Sequence, residues 1–270
     1  MIGAIIGDIV GSRFEYRNHR SKEFDLFTEE CFVTDDSIMT LAIAKAIMET
    51  IKRKSKKLDA GFYQELEKMT VKYMQEIGRK YPNCGFGYHF YNWVFDSNPQ
   101  PYNSFGNGSA MRVSPVVKYA NSENEVIELA KTVTAVTHNH EEGIKGAVAT
   151  ALAIYLAKNG ASKTEIKERI IRDYYVLDFD LKELQKTYIY DVTCMGTVPQ
   201  SIFCFLEAND FEDAIRTAIS IGGDSDTLTA ITGSIAEAYY GVPEALKEKS
   251  LTYLNNDLMQ IYLDWENLIL

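Results

Sequence analysis

The sequence predicts an all-α protein. Apolar residues recur at helical spacing in nearly every segment, and sustained period-two alternation is scarcely found. Paired acidic residues also stand at the heads of two long apolar runs, in VTDDSIMTLAIAKAIMETI and in GGDSDTLTA. There Asp and Ser suit a helix N-cap, and negative charge suits the positive end of the helix dipole.

The predicted helices follow in order. The first, over about 2–16, holds Gly7 and Gly11 one turn apart, a spacing that permits close helix packing. The second, over about 35–55, opens on Thr34, Asp35 and Asp36 and runs into IKRKSKKLD, a solvated end where cations suit the dipole. A third covers about 58–79. Glycines and prolines then cluster in YPNCGFGYHFYNWVFDSNPQPYNSFGNGSAMRVSPV, which reads as loop and short helix. Further helices are expected at about 123–136, at 141–158 starting within VTHNHEEG, and at 162–174, 196–208 and 210–220, the last covering most of DAIRTAISI. The run that starts at the second aspartate of DSDT gives 226–240, and 243–268 closes the series. With no repeat and no linker, residues 1–270 read as one domain.

At 270 residues a fold buries roughly 75% of its unfolded surface without an external staple. The apolar share of 46% and charged share of 24% are those of an ordinary globular chain and speak against disorder. A net charge of −10 argues against duplex nucleic acid, whose binding rests on Lys and Arg neutralising phosphates. A pocket can still take a small anion on backbone N–H groups. Cys31, Cys84, Cys194 and Cys204 are too scattered for a CxxC zinc pattern and too few for a disulfide framework, so buried free thiols are expected. MIGAIIGDIV is short, lacks a basic leader and reaches Asp8 early, unlike a signal peptide or a membrane span. The expectation is a cytoplasmic protein.

Four distant passages place polar groups at a helix end or a glycine-rich turn: GDIVGSRFE, VTDDS, GNGSAMR and GGDSDT. A single cap uses one oxygen, so adjacent acids, twice over, leave hard oxygen donors that need a cation. Thr34, Asp35, Asp36, Asp224, Asp226 and Thr227 form an all-oxygen set that suits Mg²⁺, Mn²⁺ or Ca²⁺ rather than zinc, with room for more than one ion. Glu15 follows Gly11 by four residues and lies on much the same face as Gly7 and Asp8. Gly106, Asn107, Gly108 and Ser109 offer flexible backbone to a diphosphate. Nine aromatics between positions 81 and 105, Phe105 among them, can supply a stacking wall for a nucleobase. His138 and His140 lie on alternate positions with no third soft ligand near, so a hydrogen bond to substrate suits His138 better than a metal.

The ordered set GDxxGxxxE, TDD[ST], GNGSAMR, a TH-containing helix start and GGDSDT resembles the ADP-ribosylglycohydrolase family, which includes dinitrogenase reductase-activating glycohydrolase and the ADP-ribosylarginine hydrolases. These motifs span residues 7 to 227, and Ser37 stands where many relatives carry Thr, the hydroxyl being kept. The resemblance implies a compact orthogonal helical bundle with two Mg²⁺ (or Mn²⁺) ions engaging the ribose beside the scissile bond. It assigns Thr34, Asp35 and Asp36 to one ligand group and Asp224, Asp226 and Thr227 to the other. It sets Glu15 facing the ribose, the Gly106–Ser109 loop with Phe105 near the diphosphate, and His138 on the substrate.

The reaction expected is hydrolysis of the bond between ADP-ribose and a protein side chain or small acceptor, with arginine, serine and threonine linkages all open. Glu15 is the candidate to move the proton, and Asp36 can share that task. Two other readings stand beside it. DSDT resembles the DxDxT nucleophile loop of a phosphatase, which should follow a buried strand, and the family also includes members that have lost activity.

Overall fold

The computed structural model describes residues 1–54 and 57–268. The chain runs through α1 (Ile2–Gly11), α2 (Asp35–Arg53), α3 (Ala60–Gly78), α4 (Tyr88–Phe95), α5 (Gly108–Met111), α6 (Val116–Tyr119), α7 (Glu123–Ala135) and α8 (Glu141–Lys158). It continues through α9 (Lys163–Asp173), α10 (Leu181–Thr187), α11 (Cys194–Glu207), α12 (Phe211–Ser220), α13 (Ser225–Tyr240), α14 (Glu244–Leu251) and α15 (Asn256–Glu266). Among the described residues there is no β-strand, only an isolated bridge between Gly106 and Thr193. The all-α expectation holds.

Side-chain caps set many of the helix starts, each satisfying an N–H left without an intrahelical partner. Asp59, Ser122, Asp180, Thr193 and Asp210 each accept from the backbone N–H three residues on. Ser162 and Glu165 form a reciprocal capping box at α9.

The core is organised by α1 and α13, which pack antiparallel at backbone contact. A methyl group on Gly3 would lie 2.2 Å from the Gly233 carbonyl oxygen, one on Gly7 2.2 Å from that of Thr229, and one on Gly11 2.5 Å from that of Ser225. Only glycine fits along this seam. Ile5, Ile6, Ile9 and Val10 turn from it into the core, and α13 is buried from Ser225 to Ala236. The alanine-rich α8, with Ala147, Ala149, Ala151 and Ala153 wholly buried, lets its neighbours approach closely. These contacts fix the N-terminal ends of α2 and α13 beside the end of α1.

Four boundaries differ from expectation. The helix expected over 2–16 ends at Gly11 and tightens into a 3₁₀ turn at Ser12–Phe14, where Ser12 Oγ donates to the Ile9 carbonyl. The helix expected over 243–268 is two, because Asn255 accepts from Leu258 N and starts α15 afresh. The short α10 falls in a stretch read as having no element, and α4 takes up part of the aromatic-rich stretch. The last residue of the helix expected over 35–55 lies outside the described residues, as do the last two of the domain drawn over 1–270. No helix among the described residues is long and apolar enough to cross a membrane.

Candidate active site

Two acidic turns meet where α2 and α13 begin. Thr34 caps α2: its hydroxyl accepts from Asp36 N at 3.2 Å and donates to Asp8 Oδ1 at 2.6 Å, which leaves one lone pair for a further partner. Asp8, wholly buried in the otherwise apolar α1, also accepts from Thr34 N and Ser37 N, both at 3.1 Å. On the other side Gly222 and Gly223 both take positive φ, at 74° and 77°, so the chain turns sharply to present Asp224 and Asp226 at the head of α13. Thr227 Oγ1 then donates to Asp36 Oδ2 at 3.2 Å and ties the turns together. Carboxylate oxygens of Asp8, Asp36 and Asp226 lie within 4.8 Å of one another, as do those of Glu15, Asp224 and Asp226.

These groups form one end of a cavity of about 670 Å³, lined by Glu15, Asp35, Asp36, Asp224, Asp226 and Thr227. Its other walls carry Phe86, Tyr88, Phe90, Tyr102, Phe105, Gly106, Asn107, Gly108, Arg112, His138 and Tyr190. Tyr88 and Phe105, 76% and 44% exposed, stand at the rim, while Trp93 belongs to the core. The aromatic wall is thus a part of the cluster in positions 81 to 105.

The glycine-rich turn is held from behind. Asn107 N donates to the Val192 carbonyl at 2.8 Å, and Gly106 N to Ser104 Oγ at 3.1 Å. The Gly108 N–H has no partner among the described residues. Two of the residues expected on a diphosphate have side chains committed elsewhere. Asn107 Nδ2 donates to Asp224 Oδ2 at 2.6 Å and to Thr197 Oγ1 at 3.0 Å, so it braces an acidic turn. The buried Ser109 hydroxyl donates to the Gly143 carbonyl at 2.8 Å, away from the cavity. His138 is buried and lines the cavity, whereas His140 caps α8 by accepting from Glu142 N.

Glu15 stands at the open side of the acidic end, where Tyr190 OH donates to its Oε1 at 3.0 Å. Tyr16 stacks near Tyr190, with ring centroids 6.1 Å apart, and the Glu15 carboxylate pushes the Tyr16 phenol up to about 12.

A family model described as ADP-ribosylglycohydrolase matches residues 1–267. The chain belongs to the ADP-ribosylglycohydrolase family. It is 26% identical to the ADP-ribosylhydrolase ARH3 of Homo sapiens, over 96% of this chain and 90% of that protein. It is also 26% identical to the ADP-ribosylarginine hydrolase Tri1 of Pseudomonas putida, over 90% of this chain and 70% of that one. A solved structure described as an ADP-ribosylglycohydrolase-related protein complex shares the fold at a TM-score of 0.65 and 20% identity, over 98% of this chain and 95% of that chain.

The electrostatics of this candidate site in an ADP-ribosylglycohydrolase family member suit a cation. Burial, then the charges of Asp8 and Asp224, push the Asp35 carboxyl up to about 8. Burial pushes Asp8 up to about 6, and burial, then the Glu15 charge, pushes Asp224 up to about 6, in both cases against the hydrogen bonds they accept. Asp36 and Asp226 are raised well above the ordinary range, by burial and then by neighbouring carboxylates. Asp36 Oδ1 is buried with no hydrogen-bond partner among the described residues. An all-oxygen donor set with an orphaned carboxylate oxygen fits a hard divalent ion.

Sequence reasoning left Asp8, Arg112, Tyr190 and Thr197 without roles in this site. The signal for Asp8 was there, since a lone charge inside an apolar helix must find buried donors. Arg112 is 1% exposed with no carboxylate within ion-pair distance among the described residues. Nothing in GNGSAMR says that its cation turns inward. The strand that a DxDxT phosphatase loop follows is absent among the described residues, because Asp224 follows α12.

Proposed function

We propose that the protein hydrolyses the glycosidic bond between ADP-ribose and a modified side chain or small acceptor, with two Mg²⁺ or Mn²⁺ ions, and that residues 1–270 act as one catalytic domain. The observation that carries this reading is the convergence of both acidic turns and Glu15 on one end of a cavity whose other walls are aromatic rings and glycine backbone. Such a cavity matches the parts of ADP-ribose: ring faces for adenine, the Gly108 N–H and His138 for the diphosphate, carboxylates for the ribose. Four unpaired cysteines suit a reducing compartment such as the cytoplasm.

Thr34, Asp35, Asp36, Asp224, Asp226 and Thr227 would hold the ions, with Asp8 fixing the first turn from behind. A divalent ion bound there supplies Lewis acidity and orients the ribose hydroxyls. The chain's own groups handle the rest. Cleavage develops positive charge at C1 of the ribose, and the crowded carboxylates stabilise it. Glu15, held at Oε1 by Tyr190, accepts a proton from the attacking water, whose oxygen forms the new bond to C1. The leaving nitrogen or oxygen departs with a proton in exchange, for which Asp36 is the second carrier. The test is incubation of the pure protein and Mg²⁺ with ADP-ribosylated arginine, serine and threonine peptides. Free ADP-ribose from at least one is expected, and release from none would leave a binding role only.

A further inference from the structure

His138 raises a question that the reaction leaves open, namely which of its ring nitrogens carries the proton. Three groups decide it. The Arg112 guanidinium is always a donor and never an acceptor. Its Nη2 lies 2.7 Å from Thr137 Oγ1, so that oxygen accepts, and it lies 3.4 Å from His138 Nδ1. Thr137 Oγ1 is itself 2.7 Å from His138 Nδ1, and the hydroxyl has one proton to give. Its other acceptor, the Thr134 carbonyl, is 3.5 Å away, at the limit of a hydrogen bond. A proton on Nδ1 would force the hydroxyl onto that long contact and would point two N–H groups, from imidazole and guanidinium, at each other. A proton on both nitrogens would set a second cation beside Arg112 in a site away from water.

We propose that Thr137 and Arg112 are positioning residues that lock His138 as the neutral tautomer protonated on Nε2, making this N–H a fixed donor to an unprotonated oxygen of the bound ligand. Burial, then the Arg112 charge, holds the His138 imidazole well below its ordinary pKa, in keeping with a neutral ring. Nε2 has no hydrogen-bond partner among the described residues. The cavity side of the ring is open because Gly106 and Gly108 lack side chains: a Cβ on either would sit 3.5 Å from Nε2. The nitrogen therefore meets the ligand as a donor only. It favours an anionic oxygen, such as that of a diphosphate, and disfavours a group that itself presents a proton. The ligand's identity rests on the reading given under Proposed function; the tautomer does not.

Nitrogen-15 NMR of the imidazole rings in the full chain separates the two. The four histidines are His19, His89, His138 and His140, and His138→Gln identifies the signal in question. The expected spectrum shows an unprotonated Nδ1 and a protonated Nε2. A protonated Nδ1, or an imidazolium pattern, overturns the proposal. Thr137→Val should shift the ring toward a mixture of tautomers and weaken ADP-ribose binding by about tenfold, the scale of one lost hydrogen bond. Thr137→Ser should restore both. An unchanged tautomer in Thr137→Val overturns the positioning role of Thr137 and leaves Arg112 alone to hold the ring, and Thr137→Cys, a weaker donor, replaces the valine variant should that fail to fold. If the wild-type protein shows the expected tautomer and yet does not bind ADP-ribose, the functional reading fails and the tautomer assignment stands.

Discussion

Asn107 Nδ2 donates to Asp224 Oδ2 at 2.6 Å across 117 residues of chain, so the glycine-rich turn is braced directly on an acidic one. The bond also lowers the Asp224 carboxyl against the upward push of burial, and it keeps the group readier to meet a cation. Asn107→Ala should weaken Mn²⁺ binding by about tenfold, since a hydrogen bond to a charged group contributes about 1.5–3 kcal/mol. Calorimetry on the chelated protein checks this, and equal affinities in wild type and variant would show that the amide does not tune Asp224.

Divalent ions should be required for turnover. EDTA should abolish release of ADP-ribose, and either Mg²⁺ or Mn²⁺ should restore it. Undiminished activity in a fully chelated sample would remove the two-ion reading and leave the orphaned Asp36 oxygen unexplained.

Glu15 and Asp224 should fail in different ways. Asp224→Asn removes a proposed ligand, so ADP-ribose affinity and turnover should fall together. Glu15→Gln keeps the shape but cannot take a proton, so affinity should largely survive while turnover drops by roughly 10²–10⁴. Single-turnover hydrolysis beside calorimetry distinguishes them, and a Glu15→Gln enzyme at the wild-type rate would pass the proton to the aspartates.

The acidic cluster also predicts how stability responds to pH. In metal-free protein, Asp8 and Asp224 titrate near 6 and Asp35 near 8, against 3.8 for an ordinary Asp. The folded state therefore binds more protons than the unfolded one between about pH 4 and pH 8, and this contribution to stability is lost as pH rises through that window. An ion that neutralises the ionised carboxylates recovers the loss. The rise in Tm on adding Mg²⁺ should be larger at pH 8 than at pH 5, and scanning calorimetry at both values decides it. An equal rise at both would mean that Mg²⁺ acts elsewhere.

Gly7→Ala puts a methyl group 2.2 Å from the Thr229 carbonyl oxygen, so α1 must lift from α13. Overpacking of a rigid core costs about 1–3 kcal/mol. Because the displacement also moves Asp8, Mn²⁺ affinity should fall along with Tm. A variant that lost stability but kept full ion affinity would show that the acidic turns tolerate movement of α1.

The helices were legible because their apolar faces repeat, and the acidic turns because charge beside an apolar run stands out. What escaped depends on partners far away in sequence. Tyr190 reaches Glu15 across 175 residues, and the purpose of Asp8 is to receive Thr34 and Ser37 from another helix. In GNGSAMR, glycine backbone facing a cavity was readable, but the inward turn of the Ser109 hydroxyl to Gly143 and of Arg112 to Thr137 was not. The break between α14 and α15 was missed because the apolar pattern continues through it, and only the cap at Asn255 marks it.

The hydrogen bond from Thr227 to Asp36 joins residues 191 positions apart. A ribosome working at about 5–20 residues per second takes roughly 10–40 s to deliver the second after the first. Throughout that interval the nascent chain carries Asp8, Asp35 and Asp36 with half of their oxygen partners still unmade. The glycine seam of α1 likewise has no surface to close on until α13 leaves the exit tunnel. Closure of the core, and with it the ion capture proposed above, is therefore a late event in biogenesis, and a product truncated before α13 cannot complete the seam.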